Sequence, residues 1–201
     1  MATLRSSLFI DRLQPQTLCY LGSWIRGTLP RAGMAAQVIE VAPGLDIEAL
    51  TDVALKDAEV QAGILVVERQ FGYLEYHARS TAAVRSAADA VVSGLGVEAG
   101  PGMQPRVLAS RIVTRIDPQH AFLVNRNRLG SMALAGETLF VLEMEPAAYA
   151  FLAANEAEKA AEMKLVDFRM IGATGRLYLS GTEASVEAAA SAAQAALEAA
   201  A

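Results

Sequence analysis

Glu68, Arg69, Gln70, Phe71 and Gly72 put a carboxylate directly beside a guanidinium at the tip of a predicted strand, tight loop and strand over residues 63–78, GILVVERQFGYLEYHA. A core has no use for two opposite charges there. An exposed Glu-Arg pair is worth only about 0 to 1 kcal/mol, and taken alone the two charges fit a solvated hairpin end. Other chemistry is poorly supplied. His77 and His120 have no Cys, Asp or second His at ligand spacing, and the single Cys19 offers neither an intramolecular disulfide nor an iron-sulfur motif. No nucleophile elbow, phosphate-binding glycine loop or pair of catalytic carboxylates is present; the loop MIGATG, residues 170–175, lacks the Lys and following helix that phosphate binding requires. The residues therefore point to no enzyme, no metal and no cofactor.

The elements that must carry the charged tip can be read from periodicity. Ile64, Val66 and Val67 are β-formers, Gly72 supplies a permissive backbone, and Leu74 and Tyr76 resume a period of two. Before them, residues 8–13, 20–25 and 37–42 (QVIEVA) read as strands. Pro43 and Gly44 turn the chain, Asp46 is an N-cap candidate, and Ile47, Leu50, Ala54 and Ala58 recur at helical spacing. After the hairpin, Ser80 or Thr81 caps a second helix whose Val84, Ala87, Ala88, Val91, Val92 and Leu95 form one apolar stripe, which must cover a sheet.

Everything then happens again. Residues 94–105 (GLGVEAGPGMQP) read as a linker, and an offset of 103 carries Pro15 to Pro118, Gln16 to Gln119, Gly33 to Gly136, Glu40 to Glu143, Pro43 to Pro146, Lys56 to Lys159, Gly72 to Gly175 and Leu74 to Leu177. Strands are therefore predicted at 111–116, 121–125 and 138–144, a helix over 146–160, a hairpin over 164–180 and a helix from Thr182. The predicted organisation is a first domain over 1–98, a linker over 99–105 and a second domain over 106–201, each an α+β unit of five or so short strands with helices on one face. The last helix, from Ser185, is almost all alanine and can lie close to a sheet.

Composition narrows the class further. With 201 residues, 53% hydrophobic and 19% charged, the chain has ample material for packed cores. Its net charge of −5 and scattered Lys and Arg leave no basic stripe for nucleic acid or an anionic membrane. Residues 8–10 are too short an apolar run for a signal-peptide core, and no 18-residue apolar span exists, so a cytoplasmic protein is expected, with Cys19 a buried, inert thiol in a reducing compartment.

The duplicated chain resembles the trimeric tandem-domain shell proteins of bacterial microcompartments, the BMC-T class. The resemblance covers both halves and rests on the helix segments ALTDVALK (49–56) and AANEAEK (153–159), with the hairpins ERQFG and MIGATG. A strand pair ahead of QVIEVA is similar to the circularly permuted version, and ERQFG is similar to the gated-pore loop of carboxysome members. The resemblance implies two permuted, ferredoxin-like BMC domains and a homotrimer of hexagonal outline, with stacking of two trimers in some members. It further implies a facet shared with hexameric and pentameric shell proteins, and a central pore for small metabolites.

Under that resemblance Glu68 and Arg69 line the threefold axis, with Gln70, Phe71 and Gly72 completing the gate. Their counterparts at an offset of 103 begin with Ile171 and Gly172 and continue through Ala173, Thr174 and Gly175, a loop that offers backbone in place of charge. The resemblance also places Lys56 and Lys159 at the outer edge, where hexagons meet; the spacing alone equally fits surface pairs with Asp52 and Asn155, worth about 0.2 to 0.5 kcal/mol each. A tandem trimeric regulatory protein that binds small molecules is the competing class, since α+β units in rings serve both ends. It would need neither the charged tip nor the duplicated lysines.

Overall fold

Alternating hydrophobicity and turn residues build the same four-stranded sheet twice. The computed structural model describes residues 2–96 and 102–201, so the predicted linker lies partly outside the described residues. The chain divides into two compact units, Met1–Leu13 with Trp24–Gln104, and Gln14–Ser23 with Pro105–Ala201.

In the first unit, strands β1 (Thr3–Ile10), β2 (Ala35–Ala42), β3 (Gln61–Glu68) and β4 (Phe71–Ala78) form an antiparallel sheet in the order β1-β2-β4-β3. In the second, β5 (Arg106–Val113), β6 (Thr138–Glu145), β7 (Lys164–Arg169) and β8 (Gly175–Gly181) repeat it as β5-β6-β8-β7. Registers agree at the sequence offset: Ile39 pairs with Leu74 as Leu142 pairs with Leu177. Even the irregularities repeat, with shifts at Leu4/Ser6 and Val107/Ala109 and again at Ala62/Ile64 and Leu165/Asp167.

Two long helices pack against one face of each sheet, as the apolar stripes predict. Helices α2 (Ile47–Asp57) and α3 (Thr81–Gly94) serve the first unit. Ile47, Leu50, Ala54, Val84, Ala87, Val91 and Leu95 join Ile39, Val41, Leu74 and Tyr76 in one core, and burying each large aliphatic contributes about 1.5 to 3 kcal/mol. Helices α5 (Tyr149–Ala160) and α6 (Glu183–Ala199) do the same in the second unit. The Ser80 hydroxyl accepts from the Ala83 amide, as its predicted cap requires, and Thr182 accepts from Ser185 in the second unit, whereas Asp46 makes no side-chain capping bond.

Several local expectations are corrected. Of the segments predicted as strands, residues 20–24 of 20–25 lie in helix α1 (Pro15–Trp24) and 121–125 lie in helix α4 (Pro118–Asn127). The reason was present in the sequence: each begins on proline, which is preorganised for a first helical turn, and the Asp117 carboxylate caps α4 through the Gln119 amide. Among the described residues each repeat therefore holds four strands and three α-helices. Cys19 is exposed on α1, not buried, because Thr17, Tyr20 and Leu21 occupy its inward face. Helix α1, although it belongs by sequence to the first repeat, is part of the second unit. Its Gln14 amide donates to the Asn155 carboxamide at 3.0 Å, the Gln16 and Thr17 amides donate to the Glu158 carboxylate at 2.7 and 2.8 Å, and the Tyr20 ring lies 3.7 Å from that of Phe168.

Candidate gate hairpin and its support

The charged tip is one tight hairpin. Glu68 ends β3 and pairs across to Phe71, so only Arg69 and Gln70 form the turn. The Arg69 side chain is 90% exposed and its Nε lies 3.8 Å from the Glu68 carboxylate, a long contact between groups free to reorient. Arg69 has a φ of 54°, a region that costs an L-residue roughly 1 to 2 kcal/mol. Arg69→Gly should therefore be more stable than Arg69→Ala by about 1 kcal/mol in urea unfolding. Equal stabilities would show that the turn relaxes without strain.

The base of the hairpin is buried where its tip is exposed. Glu40, in the middle of β2, is fully buried, and the Arg5 Nε on β1 donates to its Oε1 at 2.6 Å. The same guanidinium lies 4.2 Å from the centre of the Phe71 ring, a cation–π contact, and Phe71 itself is buried. Gly72 presses against the 3-10 turn at Gly44–Asp46, where a Cβ would overlap the Gly44 carbonyl oxygen and lie 2.8 Å from Ile47. Sequence reasoning found the tip but missed Arg5 and Glu40. A charged residue at the centre of the apolar strand QVIEVA, repeated as Glu143, was the available signal.

The second repeat lacks this arrangement. Ile171, Gly172, Ala173 and Thr174 make an irregular loop between β7 and β8, with Gly172 at a φ of 130°, and Gly175 begins β8. The Thr174 hydroxyl donates to the Glu143 carboxylate at 2.8 Å and Arg176 reaches the same oxygen at 3.2 Å; these two contacts hold Glu143 below its ordinary pKa. The loop borders a cavity of about 740 Å³ lined also by Leu123, Asp167 and Arg169. No charge occupies the loop tip.

The remaining singled-out residues divide plainly. Lys56 pairs with Asp52 at 2.5 Å, both exposed, at the predicted spacing. Lys159 instead pairs with Glu156 at 2.8 Å, because Asn155 is fully buried and committed to Gln14. His120 is exposed, whereas His77 is fully buried with its Nδ1 3.0 Å from Glu75. Among the described residues no three His, Cys, Asp or Glu side chains gather as a metal site, and no helix is long and apolar enough to cross a membrane.

Burial raises the Glu75 pKa above its ordinary value of 4.5, and the His77 contact opposes that shift only in part. Native Glu75 thus holds a proton that the unfolded chain has released, so its contribution to stability is present below pH 4.5 and is lost as pH rises through the native value. Glu75→Gln should gain melting temperature over the native chain, more at pH 7 than at pH 4. A gain that shrinks with rising pH would reverse the sign.

Comparison with known proteins fits this geometry. Residues 4–100 match the family described as the CsoS1D N-terminal domain. The chain is 46% identical to the carboxysome shell protein CcmP of Synechococcus elongatus over 97% of its length and 92% of that protein's. It is 41% identical to the carboxysome shell protein CsoS1D of Hydrogenovibrio crunogenus, covering 98% and 97% of the two chains. Two folded halves of BMC type, permuted and fused, thus define a tandem-domain microcompartment shell protein. The chain belongs to the family of the carboxysome shell proteins CcmP and CsoS1D. Among solved structures, the fused permuted hexameric shell protein MSM0275 from the RMM microcompartment superposes with a TM-score of 0.95 at 68% identity, over 98% of this chain and 97% of that one. The double ringed trimeric shell protein MSM0271 from the same compartment gives 0.94 at 45% identity, over 99% and 97%. The relatives are named as shell proteins, not as enzymes.

Proposed function

We propose that three copies of this chain close into a six-sided plate that tiles a bacterial microcompartment facet, with Glu68 and Arg69 facing the central opening as a gate for small metabolites. The observation that carries the gate is the contrast within one hairpin: a tip of two exposed, weakly paired charges on a base packed against Arg5, Glu40 and Gly44. Three such pairs total at most about 3 kcal/mol. Swinging a gate fully from shut to open takes about 5.5 kcal/mol of differential binding, which a few ligand contacts or a stacked second ring can supply. The name of the double ringed trimeric relative supports both the count of three and the stacking. Residues 1–98 and 106–201 act as the two tiling domains, other shell proteins complete the facet, and Lys56 and Lys159 lie at its seams.

The test is a structure of the assembled Glu68→Ala, Arg69→Ala double variant. A wider opening supports the gate, and an aperture unchanged in shape overturns it. In the same preparations, Lys56→Asp with Lys159→Asp should abolish flat sheets seen by electron microscopy while sparing single rings; intact sheets would remove the lysines from the seam.

A further inference from the structure

Two ionisable side chains lie in the interior of the first sheet, and we infer that Glu75 and His77 form a proton-linked latch: opening of the β3–β4 hairpin releases a proton, so the hairpin loosens as pH rises above neutrality. Leu74 and Tyr76 join the core under α2 and α3, so Glu75 and His77, at the alternate positions of β4, share the other face of the sheet. Both are 0% exposed, with His77 Nδ1 3.0 Å from Glu75 Oε1. Glu75 Oε2 and His77 Nε2 find no hydrogen-bond partner. The hairpin is fastened around this pair. Edge strand β3 bulges at Gly63, opposite Glu75, where a Cβ would overlap Glu75 Oε2. At the same bulge the Arg26 and Gly27 amides donate to the Gly63 carbonyl at 3.1 and 3.0 Å, and the Thr28 amide donates to the Ala62 carbonyl at 2.9 Å.

A carboxyl oxygen and an imidazole nitrogen at hydrogen-bond distance need one proton between them, and with one proton the pair is neutral overall whichever group carries it. Removing that proton, or adding a second, leaves a net charge in a fully buried place. Among the described residues, His77 is the one charge that acts on Glu75. On β2, Val38 and Ala36 lie opposite the pair, and Glu40 is bonded to Arg5. Strand β3 presents Ile64 and Gln61; the segment before β2 brings Ile25 and the Thr28 carbonyl, and the Arg26 guanidinium donates to the Ile25 carbonyl. Asp57 and Asp89, on α2 and α3, act on the intervening Tyr76 from the helix side. The closed pair therefore keeps its proton, and burial raises the Glu75 pKa in the same direction. Exposed to water, the two groups together hold one proton only up to about pH 6.5, where histidine ordinarily titrates. Above that, opening releases a proton and its equilibrium rises about tenfold per pH unit; between about 4.5 and about 6.5 the open pair also carries one proton, and opening is indifferent to pH. At the offset of 103 the second repeat has Tyr178 and Ser180, which supply no such proton.

That this hairpin borders an opening rests on the ring proposed above; the proton linkage does not. The test is amide hydrogen exchange of the native protein between about pH 5 and about pH 8, corrected for the intrinsic rates. The opening constant of β3 and β4 should stay level up to about pH 6.5 and then climb about tenfold per pH unit, while β7 and β8 in the same sample stay level throughout. A level response in β3 and β4, or an equal slope in both hairpins, overturns the inference. Glu75→Gln should reverse the sign. It removes the acid and leaves an imidazole that gains a proton only on opening, so its hairpin should loosen as pH falls below about 6.5 and stay level above. A variant that keeps the native slope also overturns the inference. The Glu68→Ala, Arg69→Ala chain should retain the native slope whatever becomes of its aperture, so loss of the gate and loss of the latch read out separately.

Discussion

Replacing Gly72 by alanine should destabilise the first unit by about 3 kcal/mol, at the upper end of what overpacking a filled site costs. At roughly 4 to 8 °C per kcal/mol for a domain of this size, the melting transition falls by more than 10 °C. The effect is large because backbone, and not the end of a flexible side chain, occupies the space. A Cβ at Gly72 would overlap the Gly44 carbonyl oxygen, and one at Gly44 would come within 2.6 Å of the Phe71 carbonyl oxygen. Neither strand nor turn can yield without moving the hairpin that carries Glu68 and Arg69. Gly33→Ala is the control: its φ of 85° disfavours alanine, but nothing lies within 4 Å of the new methyl, so about 1 kcal/mol should be lost. Similar losses for the two variants in urea unfolding would mean that contact between hairpin and turn does not set the base.

Arg5→Met should cost a further class of energy, about 3 kcal/mol, by leaving the Glu40 carboxylate in a fully buried position without its nearest cation. The pair Arg5→Met with Glu40→Leu should recover most of that loss, since replacing both charges by apolar groups is often close to neutral. The two variants separate stability from positioning. The double variant is folded but has no guanidinium over Phe71, so the tip should show raised mobility at Glu68 and Arg69 in a crystal or cryo-EM structure. A double variant as unstable as Arg5→Met alone would show that the pair is held for strength and not for the placement of Phe71.

The importance of Gly72, Arg5 and Glu40 showed unevenly in the sequence. Gly72 and its repeat at Gly175 stood out because two copies of one hairpin kept a glycine at the same offset. Glu40 was visible as a charge in an apolar strand, yet its partner Arg5 was not, because the two are 35 positions apart and meet only once β1 lies against β2. Lys159 was expected to follow Lys56 in pairing at a spacing of four. It pairs at three, since Asn155 is drawn inward by the amide of Gln14, 141 positions away. Residues 20–25 taken alone resemble a strand because Tyr20, Trp24 and Ile25 are β-formers; Pro15 at the first turn is the stronger signal.

The sequence by itself determined the duplication, the hairpin with its two charges and the apolar stripes of the four long helices, because each is written in local spacing that neighbouring residues enforce. Tertiary structure alone decided which surfaces are buried. Gln16 and Gln119 carry the same side chain in the same helical position, yet Gln16 clamps an edge strand while Gln119 stands exposed. Hydrogen-bond partners and burial are set by what folds against a segment, and identical local sequence places no constraint on that.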